Sequence, residues 1–90
     1  MHELKLIFSD ATKNNEYRLG LHRMSATLKT YFDVLFKQPI EEMTATEIVS
    51  QVKKQAVGEL FLTMSVLQFR SAETQKEDFV VAYERALKIL

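Results

Sequence analysis

The chain has no cysteine, one proline and two glycines, and its twelve basic and twelve acidic residues cancel to a formal net charge of zero. Without cysteine there is no disulfide framework, no thiolate zinc site and no cysteine nucleophile, and the composition fits a reducing compartment. So little glycine and proline leaves no room for a flexible linker, so the 90 residues are expected to form one domain with a single modest core. A balanced charge provides no excess to draw the chain to phosphate backbones or anionic membranes, so neither nucleic acid nor a membrane is an expected partner.

Long apolar runs are missing as well. The longest, residues 60–67, is broken by Thr63 and Ser65 and falls far short of the roughly 18 residues a membrane span needs. No basic segment followed by an apolar core opens the chain, so no signal peptide is read, and a cytoplasmic or nuclear location is expected. Chemistry-bearing motifs are equally scarce. No serine sits in a G-x-S-x-G elbow, and Gly20 and Gly58 are too far apart to build a phosphate loop. His22 has no second histidine near it for a metal site, and His2 lies at the terminus. Glu41-Glu42 reads as a solvated loop, and Lys53-Lys54 as an exposed helix start. No catalytic residue, metal ligand or cofactor site is expected, and the chain is read as a non-enzyme.

What is present is ordinary globular material: 47% hydrophobic and 27% charged residues. Leu4, Leu6 and Phe8 alternate, which predicts a strand over 4–8. Residues 9–16 are polar with Asn14-Asn15, and Tyr17-Arg18-Leu19 alternates again, so the simplest reading is a β-hairpin. From Leu21 the period changes: Leu21, Met24, Leu28, Tyr31, Phe32, Leu35 and Phe36 recur at three and four, predicting a helix or two short successive ones. Thr30 is placed to cap the second of these, and Pro39 ends the run. Residues 41–46 read as a loop and 47–50 as a short strand. Val57, Leu60, Phe61 and Met64 mark a helix in which Gly58, costing about 1 kcal/mol against alanine, implies close packing. After a polar stretch at 70–76, Phe79, Ala82, Tyr83, Ala86, Leu87 and Leu90 form a last amphipathic stripe. Tyr31, Phe32, Phe36, Phe61, Phe79 and Tyr83 all fall on apolar stripes and are expected in the core rather than on a base-stacking platform.

The order β-β-α-α-β-α-α resembles the BTB/POZ superfamily, which includes elongin C and the adaptor on which F-box proteins dock. "LKLIFSD" (residues 4–10) looks like the first strand and turn of the elongin C branch. "SATLKTYFDVLF" (25–36) is similar to the helical pair with its Y-F-x-x-[LM]-F signature. "EIVSQVKKQAVGELFLTM" (47–64) is similar to the third strand and third helix, and "ERALKIL" (84–90) to the closing helix. Residues 9–16 are longer than the family's glycine-containing turn.

The resemblance implies an α+β fold, a small three-stranded sheet flanked by four to five helices, spanning residues 1–90. It implies a protein-interaction adaptor that links a substrate receptor to a cullin-RING ubiquitin ligase; the alternative is a homodimerising scaffold in transcriptional or other regulation. By the same resemblance a partner helix enters a groove lined by Met64, Val66, Leu67, Phe69, Val80, Tyr83, Leu87 and Leu90. A dimer contact, if formed, involves Glu3, Leu21 and Arg23. A small enzyme or nucleic-acid binder is the third reading, and it lacks both a constellation and a charge excess.

Overall fold

Leu4, Ile7, Phe8 and Ala11 also recur at i, i+3, i+4 and i+7, the spacing that stacks side chains on one face of an α-helix. In the computed structural model, which describes residues 2–70 and 73–90, that spacing prevails. Leu4, Ile7 and Ala11 are buried along helix α1 (His2–Asn14), and Phe8 packs partly buried against the same core. The strand reading explained Leu4, Leu6 and Phe8 but sent Ile7 to the solvent side. The helix buries Ile7 and leaves Leu6 half exposed. Asn15, at φ 55°, turns the chain, as the short polar side chain of asparagine tolerates. Helix α2 (Tyr17–Phe36) then runs back along α1.

The predicted hairpin is therefore an αα-hairpin. Among the described residues there is no strand, so the three-stranded sheet and the α+β fold implied by the resemblance are corrected to an all-helical fold. The third expected strand, 47–50, lies inside helix α3 (Ala45–Gln51). Its start is fixed by a capping box: Thr44 Oγ1 accepts from Glu47 N–H at 3.3 Å, and Glu47 Oε1 accepts from Thr44 N–H at 3.1 Å. Two backbone donors that would otherwise lack partners are satisfied by four consecutive residues, and this local term favours helix over an isolated strand.

Helix α2 continues through both segments that were open to a break. Thr30 is no cap: its hydroxyl lies inside the helix, within 3.2 Å of Ala26 O and 2.6 Å of Glu41 Oε1. The helix ends at Lys37 in the left-handed conformation, before Pro39. A single 3₁₀ turn (Ile40–Glu42) follows in place of the expected loop, anchored by Asp33 Oδ1, which accepts from Ile40 N–H at 3.1 Å.

Helices α4 (Gln55–Phe69) and α5 (Lys76–Ile89) form where their apolar periodicity predicts them. Gly58 lets α3 approach: a Cβ there would lie 3.1 Å from the Val49 backbone, the close packing its presence implied. Residues 71 and 72 of the polar stretch between α4 and α5 lie outside the described residues. At the stretch's ends a buried Thr74 receives Arg18 Nε at 3.3 Å and donates to Leu67 O at 3.3 Å, while Arg70 pairs with Asp78.

The five helices share one core. Phe32 and Phe79 are its largest fully buried side chains. Phe8 stacks on Phe79 at 5.7 Å between centroids and meets Tyr83 edge-on at 4.4 Å, joining α1 to α5. Phe32 meets Phe61 edge-on at 6.1 Å, joining α2 to α4. Four members of the predicted apolar stripes are corrected: Tyr31 and Leu87, at the margins of their stripes, are 37% and 43% exposed, and Leu35 and Leu90, at the C-terminal ends of α2 and α5, are 55% and 40% exposed.

Candidate functional site

The eight residues expected to receive a partner do not form one groove. Met64 is fully buried and Tyr83 nearly so, and both hold the core together. Leu67 and Val80 are half-buried, and the Leu67 carbonyl is committed to Thr74. Val66 and Phe69, three apart on α4, and Leu87 and Leu90, three apart at the end of α5, are exposed. A recess that does lie between these helices, about 280 Å³, is lined instead by Ala56, Glu59, Leu60, Arg85, Lys88 and Ile89. Of the expected dimer residues, Leu21 is fully buried and cannot reach a second molecule, whereas Glu3 and Arg23 are exposed.

Phe69 does border a recess. Its ring, 79% exposed at the last position of α4, stands over a groove of about 690 Å³ between α2, the segment 41–45 and the C-terminal half of α4. The α2 wall is set by its helical repeat, which carries His22, Ser25, Ala26, Lys29 and Thr30 to the side facing the 3₁₀ turn. Phe61 and Met43, both buried, supply an apolar floor, and Ser65 and Gln68 complete the α4 wall.

Three polar links tie these walls together. Gln68 Nε2 lies 3.3 Å from His22 Nδ1, and the amide donates when that ring nitrogen carries no proton. Lys29 Nζ donates to Met43 O at 3.1 Å, and Thr30 meets Glu41. Glu41 and Glu42 stand together on one rim, and the Lys29 ammonium is already turned to a backbone carbonyl. The groove is thus apolar at the floor, polar along the walls and acidic at one edge. Of its residues, sequence reasoning had singled out Phe69 as a partner contact; Gln68, Ser25 and Met43 come from three separate segments and carry no shared motif.

Among the described residues, no three His, Asp or Glu side chains converge to hold a metal ion, and no helix is long and apolar enough to cross a membrane. Fold and groove define an all-helical domain with a preformed surface recess. Comparisons of the chain with protein-family models, with curated proteins and with solved structures give no match.

Proposed function

We propose that this chain is a protein-interaction domain that seats a segment of a partner protein in the groove beneath Phe69. The observation that supports this reading is a large aromatic side chain left four-fifths exposed at the mouth of a recess whose floor is apolar. Exposed aromatic residues beside concave apolar surface are the usual anchors of protein contacts, where a few side chains carry most of the binding energy. A recess of this size suits a short segment rather than a whole domain face. Glu41 and Glu42 on the rim favour a partner segment whose apolar anchor is flanked by lysine or arginine, since rim charges set orientation and encounter rate. Polar side chains along the walls can meet the main chain of that segment, and the three links that fix the walls reduce the ordering cost of binding.

The adaptor role expected from the sequence is kept in this general form. Its cullin and ubiquitin-ligase details rested on a sheet-containing fold and are not carried further.

The test compares the tagged wild-type chain with Phe69→Asp, Glu42→Lys and Leu87→Asp in affinity purification from the native cell, with quantitative mass spectrometry. A partner retained by wild type and Leu87→Asp, lost with Phe69→Asp and weakened by Glu42→Lys, is the expected result. Equal retention by all four chains, or loss with Leu87→Asp alone, refutes the groove as the binding site.

A further inference from the structure

Helix α2 turns a second stripe outward, opposite the core: Leu19, Arg23, Ala26, Thr27, Thr30 and Val34. At 100° per residue these six positions fall within about one third of the helix circumference. Val34 is 76% exposed and Leu19 49% exposed, the apolar ends of the stripe. The intervals along it are 4, 3, 1, 3 and 4, the same read from either end. A stripe with this spacing can meet a copy of itself antiparallel, residue i of one molecule against residue j of the other while j meets i, as an isologous contact requires.

We infer that this stripe is a self-association surface on which a second copy of the chain docks, its α2 antiparallel to the first about a twofold axis at Ala26-Thr27. In that register Leu19 meets Val34 at each end and Ala26 meets Thr27 at the centre, where small side chains let the two helix axes approach to about 8–10 Å. Arg23 meets Thr30, and Glu3 of α1 stands beside that position: Glu3 lines one recess with Thr30 and Val34 and another with Arg23. Each Arg23 is therefore brought to Glu3 of the other molecule, twice per dimer.

Charge complementarity commits the surface to a second copy. Glu3 makes no ion pair among the described residues, and Arg23 is held only by Asp10 at 3.4 Å in an exposed pair, leaving donors of its guanidinium for another carboxylate. A chain of zero net charge also has no overall repulsion to overcome when it meets itself. Leu6 of α1, half exposed and lining the recess between Glu3 and Arg23, extends the apolar contact beside the axis. This surface shares Ala26 and Thr30 with one wall of the groove beneath Phe69, but the inference does not depend on that groove.

Sedimentation equilibrium of the intact chain at low ionic strength tests it, with circular dichroism confirming that each variant is folded. A monomer–dimer equilibrium in the micromolar range is expected for a contact of one helix face, at the weak end of what protein interfaces reach. Val34→Lys should abolish it. Arg23→Glu and Glu3→Arg should each weaken it about tenfold, two symmetric pairs being reversed at once, and the double reversal should recover to within about threefold of wild type. A wild-type chain that stays monomeric to about 500 µM overturns the proposal, far above the range such contacts span. A dimer that survives Val34→Lys does so as well, and a double reversal without recovery overturns the antiparallel register.

Discussion

At the residue scale, the side chains that matter most are those with no alternative place to go. Phe32 is 1% exposed and touches Tyr31, Phe36 and Phe61 through its ring. Phe32→Ala should lower stability by about 3–5 kcal/mol, the usual loss for a truncated buried aromatic. For a domain with total stability near the common range of about 5–15 kcal/mol, that takes much of the margin. Urea denaturation monitored by circular dichroism measures it, and an unchanged midpoint would remove Phe32 from the core.

Gly20 makes the opposite demand, for absence of volume. A Cβ there would lie 2.8 Å from Ala11 Cβ and 2.8 Å from Phe79 Cε1. The methyl of Ala11 is fixed to the α1 backbone and cannot swing aside, so α1 and α2 must separate. Gly20→Ala gains about 1 kcal/mol of helix propensity but overpacks at about 1–3 kcal/mol, a net loss of about 0–2 kcal/mol. A midpoint that rises instead would show that the α1–α2 contact is loose. The glycine was visible in the sequence; the two side chains that require it, 9 and 59 residues away, were not.

At the element scale, α3 is the clearest case of local chemistry deciding conformation. Thr44-Ala45-Thr46-Glu47 carries the S/T-x-x-E signature of a capping box, a legible signal that outweighs the apolar pair Ile48-Val49 on which the strand reading rested. Thr44→Ala should cost about 1 kcal/mol, whereas Thr44→Ser, which keeps the accepting oxygen, should stay near wild type. In a domain of this size the alanine variant should melt about 4–8 °C lower. Equal melting of the two variants would mean that tertiary contacts alone hold α3. The first helix was misread for a different reason: residues 4–8 are too short to separate period 2 from period 3.6, and Ala11 settles it only if the polar stretch after Phe8 is read as the solvent face of the same helix. By contrast α4 and α5, each with four or more apolar residues at helical spacing, were read correctly because no competing pattern fits them.

At the scale of the whole molecule, the candidate site was the least legible part. The groove beneath Phe69 is assembled from positions 22–30, 41–45 and 61–69, which only tertiary packing brings together. The outward stripe of α2 could be written down from the sequence, but that it faces away from the core follows only once α1, α4 and α5 occupy the other sides. Those same contacts bind the helices into one folding unit: Phe8, Tyr17 and Phe79 join α1, α2 and α5, and Phe32 and Phe61 join α2 to α4. Loss of α1, α2, α4 or α5 exposes core surface on at least two other helices, so partial unfolding gains little chain entropy for the apolar area it uncovers. The chain should unfold in a single transition, with calorimetric and van't Hoff enthalpies equal and a heat-capacity increment near 1.1–1.4 kcal/mol/K, at about 12–15 cal/mol/K per residue. Far-ultraviolet circular dichroism should give the double minimum of an all-helical protein and lose it at the same temperature as the near-ultraviolet signal of the buried tyrosine and phenylalanines. A strand-type spectrum would restore the hairpin over residues 4–19. Two separated transitions would divide the core into independent parts and with it the rigid walls on which the groove depends.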